Sequence, residues 1–288
     1  MRKRITETML CLAAVMLLMI AMCVVVYADE TEGDEVTWTQ MPNAEGIEYY
    51  LDEEGALMIQ GEGEMPDYDW GGSPFYRNAD IRKVVIKDGI TRIGDYTFNY
   101  CTSLSSVEFP DGLETIGKYA FYNCSSIRSI VLPDSLTTLG EYAFSNCYRM
   151  KSAVLSRNLK VIDCAFSYCA QLKSVTIPDG VESMGYAFCG CADLKKVTIP
   201  ASVNNMEWSF GECYGLEEVT FEGDCPTLDG AFWACSLTAR YPYGNDTWTD
   251  EALDSGYGGK VKWEGYCITH AAGAAVKENQ KEATALKA

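Results

Sequence analysis

The sequence predicts a solenoid of the α/β type, built from stacked repeats of 21–23 residues. Each repeat is expected to contribute a short parallel strand, with a short helical or 3₁₀ turn opposite. Three observations predict this fold. A Phe is followed three residues later by a Cys seven times, successive cysteines lie 22 or 23 residues apart, and every repeat opens with alternating apolar residues. A fixed period of this length is the signature of stacked-repeat architectures.

The opening of each repeat predicts the strand. The fourth and sixth residues are apolar in every copy, and apolar residues two apart indicate a strand with one buried face. Proline follows several of these runs and marks strand exits, because it cannot donate to a ladder. The repeats begin at Ile81, Leu104, Ile127, Met150, Leu172, Leu194 and Leu216.

The second half of each repeat predicts a turn and a buried column. About ten residues separate consecutive strands, which is too short for a long helix and favours a helical turn or a 3₁₀ segment. Free Cys packs as a small hydrophobe, so we assign the Phe and Cys residues to packing. This structural ladder consists of Phe98, Cys101, Phe121, Cys124, Phe144, Cys147, Phe166, Cys169, Phe188, Cys191, Phe210, Cys213, Phe232 and Cys235.

Disulfides between rungs of the ladder are not expected. A disulfide needs Cα atoms about 4.4–6.8 Å apart, and a curved solenoid separates its turns more widely than its strands. Outside the ladder, Cys225 and Cys267 are the best candidates for a disulfide, and the sequence leaves open whether they pair.

The repeats fit the leucine-rich repeat frame, with a strand pattern L-x-x-V-x-I and a Cys where many such repeats carry Asn. More narrowly, the string IPDGVESMGYAFCGCADLKKVTIP resembles the BspA-like leucine-rich repeats of bacterial surface proteins. The resemblance implies a right-handed solenoid with its parallel strands on the concave side.

The two termini predict export and a flexible end. Residues 1–28 read as a secretory signal peptide, with MRKR before an apolar run and Val26-Tyr27-Ala28 as the cleavage site. An uncleaved membrane anchor is the alternative. Residues 268–288 are Ala-rich, lack large apolar residues and are expected to form a flexible tail.

Caps are expected on both sides of the seven repeats, which span 81–236. Residues 29–80 are predicted to form an acidic N-terminal cap, with a β-hairpin around Asp52–Gly55 and a degenerate first repeat that carries Phe75 and Asn78 at the ladder positions. Residues 237–267 are predicted to form an irregular C-terminal cap, in which Lys260–Trp263 could add an edge strand.

Charge and residue usage exclude several classes of function. The formal net charge is −18, and residues 29–80 carry 15 acids against one base, which opposes binding to nucleic acids and anionic membranes. The single His270 lies in the tail, and Cys189-Gly190-Cys191 has no second ligand pair for a structural zinc. The acidic loop Glu62–Gly72 is interpreted as solvated. We expect no enzyme activity, no cofactor and no metal.

The residues between the buried strand positions are the candidate ligand-binding residues, and by the resemblance they line the concave face. They are small, hydroxyl-bearing or β-branched, and a second column beside them forms a candidate basic stripe. The concave-face candidates are Lys83, Val85, Ser106, Glu108, Ser129, Val131, Ser152, Val154, Ser174, Thr176, Lys196 and Thr198. The candidate basic stripe consists of Arg82, Arg128, Lys151, Lys173 and Lys195. A column of tyrosines and one Trp on the turns is a second candidate, with packing between turns as its alternative.

We therefore expect a secreted or cell-surface bacterial protein that recognises other proteins without catalysis. The resemblance implies adhesion to host matrix proteins or to other microbes. A structural spacer of the cell envelope without a specific ligand, or a glycan-binding module, is the alternative.

Overall fold

The computed structural model describes residues 36–267 and has the architecture of a solenoid of stacked parallel strands from Thr39 onward. The predictions for residues 1–28, for the tail and for His270 lie outside the described residues. The strands are β1 (Thr39–Gln40), β2 (Glu48–Leu51), β3 (Ala56–Gln60), β4 (Gly63–Glu64), β5 (Lys83–Ile86), β6 (Ile90–Ile93), β7 (Ser106–Glu108), β8 (Thr115–Ile116), β9 (Ser129–Val131), β10 (Thr138–Leu139), β11 (Ser152–Val154), β12 (Ser174–Val175), β13 (Lys196–Ile199), β14 (Glu218–Phe221), β15 (Ser236–Pro242) and β16 (Lys260–Tyr266).

The first strand of each repeat lies in one row, which runs from β3 through β5, β7, β9, β11, β12, β13 and β14 to β15. Equivalent residues pair in parallel, as Val84 does with Leu57 and Ala153 with Ile130. The hydrogen-bonded ladder is interrupted between β7 and β9 and between β12 and β13. The fourth and sixth residues of the repeats are buried, except that Val107 and Phe109 are half-buried.

A second row of parallel strands, β4, β6, β8 and β10, lies where the sequence predicts turns. Single parallel bridges that join Val161, Ser183, Asn205 and Thr227 extend this row through the later repeats. In β6 the buried residues are Ile90 and Ile93, three apart. In a strand with one buried face, buried residues occur at every second position. A spacing of three does not fit that pattern, so the sequence predicts no strand there.

The turns contain neither an α-helix nor a 3₁₀ segment, so the predicted helical turn is wrong. Each central repeat instead has two residues with positive φ four positions apart, such as Tyr119 at 55° and Asn123 at 58°. A left-handed residue interrupts any right-handed helix. Alternate backbone N–H groups then donate to the next repeat, as Phe121 N does to the oxygen of Ala143 at 2.8 Å.

The N-terminal side contains the hairpin of β2 and β3, which pair antiparallel with Leu51 opposite Leu57. Asp52 shapes the connection, since its Oδ1 accepts bonds from the backbone N–H groups of Glu54 and Ala56 at 2.9 and 2.8 Å. Gly55 has a φ of +89°, and a Cβ there would lie 2.3 Å from the oxygen of Asp80. This turn therefore requires glycine.

The C-terminal side is more regular than the predicted irregular cap. β15 and β16 pair in parallel over seven residues, and α1 (Asp250–Asp254), the one helix of residues 36–267, lies between them in sequence. Thr249 Oγ1 caps this helix by accepting from Ala252 N at 3.2 Å. Trp248 is buried against Phe221, with ring centroids 4.8 Å apart. The last repeat is thus covered by aromatic packing.

The core is the column of phenylalanines. Phe75 and the seven predicted Phe residues are buried, and consecutive rings stack nearly parallel with centroids 5.0–6.4 Å apart. All seven predicted Cys residues are buried beside them. Each thiol donates to the carbonyl oxygen of the Phe one repeat earlier, at sulfur–oxygen distances of 3.0–3.5 Å. The Cys residues therefore bond adjacent repeats as well as filling space.

All eleven cysteines of residues 36–267 are free thiols, and these include Cys225 and Cys267. Burial raises the pKa of the ladder thiols, from an ordinary value of 9.0 to about 12 for Cys101 and for Cys169. The thiols therefore remain protonated at physiological pH. A protonated thiol is what donation to a carbonyl requires.

We expect Phe166→Ala to lower the free energy of unfolding by about 3–5 kcal/mol, because it removes a buried ring and leaves a cavity. Phe166 stacks on both neighbours, with centroids 5.7 and 5.8 Å away. Urea unfolding followed by circular dichroism measures the change. The matched control is Tyr186→Ala, a 40% exposed ring in the next repeat, which should cost far less. Equal costs for the two variants would contradict a core built on the Phe column.

We also expect stability to fall steeply above about pH 9. Below the unfolded-state pKa of the thiols, both states are protonated and the folded state keeps its full stability. Between 9.0 and about 12 only the unfolded state releases the Cys101 and Cys169 protons. Each such thiol then lowers the free energy of unfolding by about 1.4 kcal/mol per pH unit. Urea midpoints between pH 7 and 10 under reducing conditions measure this slope, and Cys169→Ala should make it shallower. A slope unchanged by Cys169→Ala would contradict the assignment to ladder thiols.

Candidate binding surface on the parallel sheet

The predicted ligand-binding residues lie on the exposed side of the first row of strands, which we call the sheet face. Here Ser129, Ser152 and Ser174 are paired side by side across β9, β11 and β12. Val131 and Val154 lie next to this column and are 66% and 55% exposed. Exposed β-branched side chains on a sheet offer apolar contact area that is unused within the fold.

A basic column adjoins the serines at the centre of the sheet face. Lys151 N donates to the oxygen of Arg128 at 2.8 Å, and Lys173 N donates to the oxygen of Lys151 at 3.2 Å. The three cations are therefore consecutive across the sheet, at the parallel-strand spacing of about 4.8 Å. All three are exposed, and none forms an ion pair within the part of the chain that the structure describes.

Ion pairs form at both ends of the sheet face, although Arg82 has none within the described residues. At the N-terminal end, Lys83 Nζ lies 2.6 Å from a carboxylate oxygen of Glu108. At the C-terminal end, Lys195 pairs with Glu217 at 3.1 Å and Lys196 with Glu218 at 3.5 Å. These exposed pairs contribute little stability, but they cancel the charge that a ligand would meet.

The predicted basic stripe is thus shorter than its five residues. Arg82 is separated from Arg128 by Ser105, whose N–H donates to the oxygen of Arg82 at 2.8 Å, and Lys195 is paired. The central cations Arg128, Lys151 and Lys173 remain. We call these three residues, together with Ser129, Ser152, Ser174, Val131, Val154 and Thr176, the central patch.

A shallow hollow lies beside the central patch. It encloses about 370 Å³ and is lined in part by Thr176, Lys196 and Thr198 from the predicted set. Asp179 and Glu222 also line it, so this part of the sheet face is mixed in charge. The central patch and the hollow together form an open surface that suits an extended ligand.

In the acidic loop, Asp67 is bonded to groups of the protein itself. One carboxylate oxygen of Asp67 lies against the Arg92 guanidinium and accepts from Asp95 N at 2.8 Å. Within residues 36–267, no three His, Cys, Asp or Glu side chains lie close enough together to hold a metal ion. The thiols of Cys189 and Cys191 have different surroundings. Cys191 is a ladder residue, whereas the Cys189 thiol contacts Tyr168.

The aromatic column on the turns is larger than the sequence pattern indicates. Tyr96, Tyr119 and Tyr142 stack with centroids 4.9 and 4.8 Å apart. Further rings from other turn positions adjoin it, namely Trp70, Tyr76, Tyr100, Tyr122, Tyr168 and Trp233. The repeat alignment contains a signal for two of them, since Tyr100 and Tyr168 occupy one position of the period.

Comparison with protein families gives a match to the BspA type leucine-rich repeat region, in six copies, over residues 71–185 and 160–245. The matched residues span more than half of the chain. No curated protein matches the chain in sequence. No helix within residues 36–267 is both long and apolar enough to cross a membrane.

Several solved bacterial structures are similar. A leucine-rich repeat protein of T. pallidum is 22% identical, with 78% of this chain and 100% of that chain covered and a TM-score of 0.42. A leucine-rich cell surface protein of Faecalibacterium prausnitzii is 15% identical, with 79% and 95% covered and a TM-score of 0.35. The pneumococcal vaccine antigen PcpA is 14% identical, with 79% and 98% covered and a TM-score of 0.31.

Proposed function

The chain belongs to the BspA type leucine-rich repeat family, and from this premise we propose that it is a non-catalytic recognition protein that binds another protein through the sheet face. Repeat solenoids present extended surfaces of this kind, because each repeat adds one row of side chains to the same face. The surface in question is the central patch.

The observation that carries the proposal is a row of three cations, Arg128, Lys151 and Lys173, that form no ion pair within residues 36–267. Elsewhere on the sheet face Lys83, Lys195 and Lys196 have acidic partners, and Arg82, which forms no ion pair within the described residues, is separated from the row by Ser105. Cations placed in register without partners are available to a ligand. They steer a partner of opposite charge and set its orientation.

The chemistry of the central patch favours an acidic protein segment. Carboxylates of the partner would meet the cations, and its apolar side chains would cover Val131 and Val154. The serine column offers hydroxyl groups for hydrogen bonds to a main chain. The net charge of −18 disfavours nucleic acid, because a local row of three cations does not offset repulsion from the rest of the surface.

The proposed location is outside the cell or at its surface, and the proposed role is adhesion. The charged start MRKR and the apolar run that follows support export. The acidic surface supports solubility there. A partner on another cell or in a host matrix fits a surface that is open rather than a closed pocket.

The test is the triple variant Arg128→Gln, Lys151→Gln and Lys173→Gln. Immobilised extracellular matrix proteins and surface proteins of other bacteria serve as probes, with binding measured by biolayer interferometry at low and high salt. We expect the variant to lose at least about tenfold in affinity for any protein that the wild type binds, which corresponds to about 1.4 kcal/mol. Its binding should also lose most of its dependence on salt.

The matched control is Lys118→Gln, Arg157→Gln and Lys160→Gln, which changes the net charge equally. These three side chains lie off the sheet face and form exposed ion pairs with Glu141, Asp134 and Glu182. The control should bind as the wild type does. Equal losses in the two triple variants would reduce the effect to net charge and contradict the proposal. The absence of binding to every protein probe would favour the spacer role.

A further inference from the structure

A second surface lies on the turns, away from the central patch, and the proposed function leaves it unused. It is a trough of about 460 Å³ that runs across the turns of consecutive repeats. Its floor is formed by the residues that follow each Phe, where small side chains occur in succession at Ser145, Ser167 and Cys189. Tyr122 occupies the same position of the period one repeat earlier, and Gly211 and then Trp233 occupy it in the two repeats that follow. We call this surface the turn trough.

One wall of the turn trough is the aromatic column, which has a missing ring. Tyr119 and Tyr142 stack with centroids 4.8 Å apart, and Tyr186 and Trp208 stack at 5.9 Å with planes 10° apart. Between these two stacks the column position is held by Cys164. Since one repeat rises about 4.8 Å, the gap between Tyr142 and Tyr186 spans roughly two repeats, or ~10 Å.

The missing ring coincides with a change in repeat length. The first three repeats have one residue between the turn glycine and the column position, and the third of these is Glu141 after Gly140. In the fourth repeat Asp163 is followed directly by Cys164. Cys164 keeps the left-handed backbone of the column, with a φ of 58° against 58° at Tyr142 and 56° at Tyr186. A ring would therefore be compatible with the backbone at this position, and its absence leaves a slot.

The opposite wall adds a ring and hydrogen-bonding groups. Tyr168 is 42% exposed and lies across Gly190, where a Cβ would be 2.4 Å from the ring. Gly190 is thus required for the position of Tyr168. Asn146 and Glu212 complete this wall, and Glu212 forms no ion pair within the described residues. The turn trough therefore combines ring faces with a few polar groups, which is the usual composition of a small-ligand site.

The chain itself shows what the N-terminal continuation of this surface accommodates. The Trp70 ring, from the acidic loop, lies among Tyr96, Tyr100 and Tyr122, with centroids 5.9, 5.4 and 6.0 Å away. Trp70 is 53% exposed, so one flat ring with one face in water fits against these tyrosines. The slot at Cys164, three repeats beyond Tyr96, has no such ring from the described residues.

The rim of the turn trough is acidic. Burial, together with the carboxylates of Glu207 and Asp229, raises the pKa of Tyr186, and burial with Asp163 and Glu141 raises that of the Cys164 thiol. These four carboxylates therefore lie within electrostatic reach of the slot, and only Glu141 among them has an ion-pair partner, Lys118, within the described residues. An anionic ligand would be repelled, whereas a neutral or cationic one would not.

We propose that the turn trough is a carbohydrate-binding site for neutral or amino sugars, with one pyranose ring inserted between Tyr142 and Tyr186 above Cys164. The apolar C–H faces of a pyranose stack on aromatic rings, and its equatorial hydroxyls point sideways to polar groups. The Asn146 amide can donate and accept these hydrogen bonds, and the Glu212 carboxylate can accept them. The acidic rim admits glucosamine-type sugars and rejects sialic and uronic acids.

The decisive variant is Cys164→Tyr, which supplies the missing ring and closes the slot from within. We expect it to fold as the wild type does and to lose at least about tenfold in affinity, because the column already holds Tyr at the same φ in the neighbouring repeats. Tyr186→Ala should lose a similar factor by removing the stacking face. Tyr214→Ala is the matched control, since this ring is 67% exposed and does not line the turn trough.

The measurement uses isothermal titration and tryptophan fluorescence, to which Trp208 at the wall contributes as one of six tryptophans. The probes are soluble β-glucan, mannan and chitosan oligosaccharides, with hyaluronate as the anionic comparison. Binding of a neutral or amino sugar that Cys164→Tyr and Tyr186→Ala abolish supports the site. Failure of all three probes, preference for hyaluronate, or binding that survives Cys164→Tyr overturns it. The sheet-face triple variant should bind sugar normally, so the two proposals fail separately.

Discussion

The structure depends on the bonding between repeats at the turns. A single repeat cannot pair all the hydrogen-bonding groups of its own turn. Alternate N–H groups there donate to carbonyl oxygens of the next repeat, and the Cys thiol donates to the Phe carbonyl oxygen of the previous repeat. Buried polar groups without partners are costly. Each repeat therefore needs a neighbour on both sides to complete its hydrogen bonds. The stack of Phe rings adds apolar contact between neighbours, and this contact increases with every added repeat.

The same bonding determines which side chains reach solvent. To present its N–H groups to the next repeat, each turn adopts the left-handed conformation at two positions, and those two positions hold many of the rings on the turns, such as the half-buried Tyr142 and the exposed Tyr168. Left-handed backbone is unfavourable for residues other than glycine, at about 1–2 kcal/mol each. The inter-repeat bonds offset that cost. The aromatic column is consequently a product of the backbone geometry and is held at the pitch of the repeats.

Much of the fold was predictable because the period and the alternation are backbone properties that repeat seven times. The ladder positions and the buried strand positions follow from them directly. The second row of strands was not predictable, because its apolar residues, such as Ile90 and Ile93, are three apart and match a helix as well as a strand. The thiol bonds were also missed, since Cys is read as a hydrophobe until the carbonyl opposite it is located.

The candidate surfaces were also predictable only in part. The sequence places the sheet-face residues in columns, but it does not tell which cations have partners, because pairing depends on neighbouring strands. Glu217 neutralises Lys195 only because the register puts these two residues side by side. The turn trough was even harder to predict from the sequence, because it depends on several columns at once. These are the small floor residues, the missing ring and the glycine that makes room for Tyr168.

Each repeat contacts only the repeats next to it, and this explains how one short chain can carry two separate surfaces. In a solenoid each column changes without disturbing the others, provided the ladder positions are kept. Loss of one residue after Asp163 shortens the later repeats, yet Phe166 and Cys169 keep their contacts with Phe144. The shortening is absorbed in the exposed turn, and the slot arises in the fourth repeat because the column position there holds Cys164, whereas the equally short fifth repeat keeps Tyr186. On the other side of the core, the strands of the central patch remain in register across the same repeats. Variation in this fold is therefore confined to surface columns, and that is where its binding properties are decided.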